Sequence, residues 1–179
     1  IVTSSNAGDD VIFTLNAPLD SQVTGVNEEN DLVLTAGAAA VRFYANVGPM
    51  TPLGSLTVTT AALVQFGDAD SVNPDSAPIT TVTTTGDINI GSVGIIGQIE
   101  FDAGNGNLLT VTTTEDGFVR LNGPVRLDSD LTIVTSSNAG DDVIFTLNAP
   151  LDSQVTGVNE ENDLVLTAGA AAVRFYANV

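Results

Sequence analysis

The 47 residues from Ile1 to Val47 return unchanged as Ile133 to Val179, at an offset of 132 residues. A repeat at fixed spacing constrains architecture before any local propensity does. A stacked unit buries its apolar face only against its neighbours, so the repeat decides which folds are available. One whole period and about a third of the next reads as a window on a tandem array. Residues 1–132 form one full period, 133–179 open the next identical repeat, and 1–179 read as one continuous segment. Function is then expected in the array rather than in a single pocket.

A shorter, degenerate period sits inside the long one. One strand type alternates apolar residues with Thr: LVLTA (32–36), LTVTT (56–60), TTVTT (80–84), LTVTT (109–113) and LTIVT (131–135). A second follows each as a short triplet: VRF (41–43), VQF (64–66), IEF (99–101), VRL (119–121) and VIF (143–145, also 11–13). Period-two alternation bounded by Gly, Asn, Asp and Pro is the signature of strands. The AGAAA stretch at 36–40 is too short to stand as a helix. Five such pairs fill the period, with GDINIGSV (86–93) as an insertion or as a further strand.

Short strands at this spacing fit either a parallel β-solenoid or an antiparallel sandwich, here as tandem Ig-like repeats. The recurring triplets favour the solenoid. Phe13, Phe43, Phe66 and Phe101 close equivalent triplets, Leu121 takes that place in the fifth unit, and Phe145 and Phe175 repeat Phe13 and Phe43. Stacked turns make these an internal ladder. Strands stack ~4.8 Å apart, so the outward residue Glu100 is expected beside Arg120. Thr35, Thr59, Thr83 and Thr112 are expected in one outward column.

The phrases LVLTAGAAAVRFYANVGPMTPLGSLTVTT (32–60) and LLTVTTTEDGFVRLNGPVRLDSDLTI (108–133) carry a resemblance. Leu34-Thr35-Ala36-Gly37, Val41-Arg42-Phe43, Val47-Gly48 and Pro52-Leu53-Gly54-Ser55-Leu56-Thr57-Val58 resemble repeats of large bacterial surface proteins of the filamentous-haemagglutinin-like type. The likeness is weakest at 68–79 and 86–98. It implies an all-β, right-handed parallel β-solenoid, about five coils per 132-residue repeat, secreted or displayed on a cell surface as a stalk, filament or adhesin. Its implied partners are further copies of the same repeat, head-to-tail, and a cell-surface or glycan ligand. No signal peptide is recognisable in this sequence, so extracellular location rests on the resemblance alone.

Charge narrows the function classes. The chain has 22 carboxylates and four Lys or Arg, for a formal charge of −18. The cations are Arg42, Arg120, Arg126 and Arg174. Nucleic acid needs a basic footprint, and none exists. No apolar run reaches the ~18 residues of a membrane span, so membrane insertion is not expected. With no His and no Cys, Ser–His and Cys–His catalysis is excluded. No enzyme is expected.

No cofactor is expected beyond calcium, which acidic loops can bind. GDADSVNPDS (67–76) offers Asp68, Asp70 and Asp75, and VNEEND (26–31) offers Glu28, Glu29 and Asp31. Neither follows EF-hand or nonapeptide spacing. Acids and Asn at such turns also serve solubility and turn geometry. The pairs Thr57/Thr59, Thr81/Thr83 and Thr110/Thr112 raise an ice-binding array, weighed against ordinary exposed strand chemistry. The loop SQVTGVNEEN (21–30, again 153–162) is the candidate interaction segment, because long insertions from a stacked scaffold often carry recognition.

Overall fold

The computed structural model describes all residues except 4–5, 7, 15–17, 23–29, 68–78, 105–106, 137 and 154–161. The described residues contain no α-helix and sixteen strands. In chain order these are β1 (Val11–Phe13), β2 (Leu32–Leu34), β3 (Ala40–Phe43), β4 (Leu56–Val58), β5 (Leu63–Phe66), β6 (Thr81–Thr84), β7 (Ile88–Ile90), β8 (Ile99–Phe101), β9 (Leu108–Thr113), β10 (Val119–Leu121), β11 (Val125–Leu127), β12 (Asp130–Val134), β13 (Val143–Phe145), β14 (Leu151–Ser153), β15 (Leu164–Thr167) and β16 (Val173–Phe175).

Every pairing between these strands is parallel. An Ig-like sandwich needs antiparallel sheets, so that alternative is overturned. Sheet one runs β1-β3-β5-β8-β11-β14, sheet two β6-β9-β12-β15, and sheet three β2-β4-β7-β10-β13-β16. Isolated parallel bridges extend sheet two through Leu19, Val47 and Val82, and join Leu53 to Thr84. From β1 onward the chain visits sheets one, two and three in unbroken rotation. This order is consistent with a parallel β-solenoid of three-sided turns.

Alternation sets the facing. Leu56 and Val58 are buried on β4 with Thr57 between them half-exposed, and Leu109 and Val111 repeat this on β9. Three inward rows meet in one core of Leu, Val, Ile and Phe. Phe13, Phe43, Phe66 and Phe101 stack along sheet one, their ring centroids 5.0, 5.0 and 5.3 Å apart and their planes within 6° of parallel. Phe145 and Phe175 stack separately in sheet three at 4.7 Å.

The structure corrects the ladder at Leu121. Phe101 is followed in its row by Leu127, whereas Leu121 lies in sheet three between Ile90 and Phe145. The sequence Val119-Arg120-Leu121-Asn122-Gly123-Pro124-Val125-Arg126-Leu127 holds two triplets that read alike. Asn122-Gly123-Pro124 turns the chain between them, and the second triplet occupies the Phe row. Glu100 accordingly pairs with Arg126, and Arg120 lies beside Asn89 and Ile144.

The underlying cause is a third strand per turn. Ile88–Ile90 is a strand of its own rather than part of an insertion, and Val47 and Leu53 mark a sheet-two position in a stretch that reads as loop. From Val11 to its copy Val143 the chain takes fourteen steps among the sheets: Leu19, β2, β3, Val47, β4 through β12, and β13. Fourteen steps over three sheets make four and two-thirds turns per repeat, where the sequence suggested about five.

Among the described glycines of positive φ, turns approach one another most closely at two. Gly48 (φ 64°) lies under the carbonyl oxygen of Thr83, and Gly67 (φ 86°) under that of Asp102. A Cβ at either position would overlap that oxygen, and the backbone itself disfavours any other residue.

Candidate functional site

The outward faces hold the chain's polar chemistry, and much of it joins one turn to the next. Carboxylates at strand starts accept backbone N–H groups from about thirty residues further along. Asp10 Oδ1 accepts from Ala40 at 2.9 Å, Asp142 Oδ1 from Ala172 at 2.8 Å, Asp87 Oδ1 from Phe118 at 3.1 Å and Asp130 Oδ1 from Asp163 at 2.9 Å. Asp20 Oδ1 accepts from Met50 and Thr51 at 2.9 and 3.0 Å, and Asn46 Oδ1 from Thr80 at 2.9 Å. Corner amides have no ladder partner, and an unmet buried amide is costly. These side-chain oxygens, from five aspartates and Asn46, supply the missing acceptors. The sequence shows them only as turn residues, because their donors lie a full turn away.

All four arginines are engaged. Arg42 Nε donates to Asp10 Oδ2 at 3.2 Å and its terminal nitrogen to Gln65 Oε1 at 2.5 Å. Arg174 repeats the first bond with Asp142 at 2.7 Å. The Ala172 amide, and then the Arg174 guanidinium, hold the Asp142 carboxyl below its ordinary range. Arg120 donates to Asn89 Oδ1 at 3.2 Å and to the Gly91 carbonyl at 3.1 Å. Arg126 bridges Glu100 and Asp128, the latter through Nε at 2.8 Å.

Glu100 is 8% exposed. Burial first, and then hydrogen bonding to Asp128, push its carboxyl up to about 7, against the pull of Arg126. Asp128 Oδ1 is buried with no hydrogen-bond partner among the described residues. The cluster is an interlock between β8 and β11, and Arg126 borders an open groove with Gln98, Pro124 and Asp152.

The expected outward Thr column is split. Thr35 and Thr59 touch through their hydroxyls at 2.7 Å on sheet three, and Thr83 and Thr112 are neighbours on sheet two. Thr57 sits beside Val33 and Asn89 rather than beside Thr81. The ice-binding reading needs one flat array, and these Thr residues occupy two faces.

Asp68, Asp70 and Asp75, the calcium candidates, lie outside the described residues, as do Glu28 and Glu29. Among the described residues no group of three or more acids could hold a metal ion. Asp31 borders an open groove with Glu115 and Asp116. Most of the loop 21–30 and of its copy 153–162 is likewise outside the described residues, but both roots are fixed. Ser21 Oγ accepts from the Asn30 amide at 2.9 Å and from its side-chain Nδ2 at 3.2 Å. Ser153 and Asn162 repeat both bonds at 3.4 and 3.2 Å. One serine hydroxyl thus closes a ten-residue excursion at each copy.

The described grooves are shallow and open. A more apolar one, lined by Leu127, Leu151, Leu166 and Phe175, is the uncovered end of the core. No family model, curated protein or solved structure matches the chain.

Proposed function

We propose that the chain is a segment of a right-handed parallel β-solenoid serving as a rigid extracellular spacer, the stalk or filament of a large repetitive surface protein. One observation carries this reading. The second copy continues all three sheets without a break and rebuilds the contacts of the first: Asp142 with Arg174 as Asp10 with Arg42, Phe145 on Phe175 as Phe13 on Phe43. Each turn meets only its neighbours, so copies add length without altering the units already stacked. Parallel crossovers are right-handed in about 98% of cases, which gives the hand. The filamentous-haemagglutinin-like resemblance gives the cell-surface setting.

Chains of one, two and three repeats, imaged by electron microscopy, test it. Straight rods that lengthen by equal steps without ligand are expected. Jointed particles, with a hinge at each repeat, would overturn it.

A second reading is favoured by the loop roots. The Ser21–Asn30 and Ser153–Asn162 clamps hold one long loop per repeat, which suits multivalent recognition of a glycan or protein on a partner surface. Deleting both 22–29 and 154–161 should abolish adhesion or glycan-array signal while leaving the rods intact. Unchanged adhesion would remove this reading.

A further inference from the structure

Residues 1–47 and 133–179 are identical, yet they do not occupy the same sheets. β1 lies in sheet one and its copy β13 in sheet three; β2 lies in sheet three and its copy β15 in sheet two. β3 lies in sheet one and its copy β16 in sheet three. Leu19 bridges into sheet two, whereas its copy Leu151 opens β14 in sheet one. All four positions move by one sheet in the same sense. Their contacts do not change. Val11 pairs with Val41 as Val143 does with Val173, and the Leu19 amide meets the Asn46 carbonyl at 3.0 Å as Leu151 meets that of Asn178. The second copy is therefore the first one turned, not the first one repacked.

The turn has a local source. Strands of the Thr-alternating type follow one another at three-sheet intervals from β2 to β4, β6 to β9, β9 to β12 and β12 to β15. Between β4 in sheet three and β6 in sheet two only one described strand, β5 in sheet one, intervenes. That stretch is one sheet position short. We infer that successive repeats in an array are rotated by one third of a turn about the rod axis, giving the array a threefold screw. This rests on the spacer reading above and adds its surface geometry.

The consequence concerns partners. Over three repeats each side of the rod receives every strand of the period, so the rod has no front or back. A given surface feature, such as the Ser–Asn loop root, returns to the same line only after three repeats. That is fourteen turns, or ~67 Å at ~4.8 Å per turn. A flat partner meets one loop in three, whereas a partner that wraps the rod meets all of them.

The chain has no cysteine, so paired cysteines read the register directly. Strand neighbours fall within the Cα separation that a disulfide tolerates. Thr57→Cys with Asn89→Cys should oxidise to an intramolecular disulfide, and Thr57→Cys with Thr81→Cys should stay reduced. Independently, Asn89→Cys with Arg120→Cys should close, and Glu100→Cys with Arg120→Cys should not. The reverse pattern in either set, or no closure in any variant, would overturn the inference. The outcome is separable from the spacer reading: rods that lengthen evenly with the reverse disulfide pattern would keep the stalk and remove the screw.

Discussion

Phe43 and Phe175 are the same residue of the repeat in two degrees of completion. Phe43 lies between Phe13 and Phe66 and is 0% exposed, while Phe175 has a ring on one side only and is 41% exposed. The sequence around them is identical, so the difference measures what one further turn contributes. Burial in this fold belongs to the stack rather than to the unit.

Phe43→Ala should therefore cost ~3–5 kcal/mol, the range for a large side chain removed from a packed core. Phe175→Ala should cost ~1 kcal/mol or less in this chain, as is usual for an exposed position. Urea unfolding of both variants checks the pair. Equal losses would contradict the stacking account.

How far the sequence reaches is visible in the same residues. The Phe13–Phe43–Phe66–Phe101 row is readable because Val/Ile-x-Phe recurs and because alternation fixes which side chain turns inward. The partner of Glu100 is not readable, because two triplets ending in Arg-Leu lie six residues apart and only the turn at Asn122-Gly123-Pro124 decides between them. The third strand of each turn escapes for a related reason. Val47 and Leu53 pair as single residues, and Ile88–Ile90 is three residues long, so neither leaves a period to detect. The amide-capping roles of Asp10, Asp20, Asp87 and Asp130 depend on donors about thirty residues away, which no local pattern encodes. The calcium candidates Asp68, Asp70 and Asp75 fall outside the described residues.

Gly67→Ala should destabilise the chain by more than ~1 kcal/mol. The φ of 86° disfavours Ala, and the added methyl would meet the Asp102 carbonyl. Thermal unfolding reads the effect as a loss of several degrees. An unchanged melting temperature would mean that the turns are not as closely stacked as this geometry requires.

Glu100 predicts a pH dependence. Its folded value of about 7 lies above the ordinary 4.5, so between these limits the folded chain holds a proton that the unfolded chain releases. Stability should fall as pH rises through that window and level off above it. Glu100→Gln should remove this part of the slope while leaving the contribution of the other acids. Denaturant titrations of both proteins from pH 4.5 to 8 make the comparison. Parallel curves would place Glu100 in ordinary solvent.

Chelation should leave the melting temperature unchanged. The acids at the corners are already occupied by backbone amides and arginines, and no described cluster could take a cation. Scanning calorimetry with and without EDTA is sufficient. A drop of several degrees would assign a structural cation to the acidic loops.

In the proposed rod, strands run across the axis and stack along it. X-ray diffraction from aligned arrays of the repeat tests this most directly. The ~4.8 Å strand-spacing reflection is expected on the meridian, parallel to the rod axis. The same reflection on the equator, with strands lying along the rod, would contradict it.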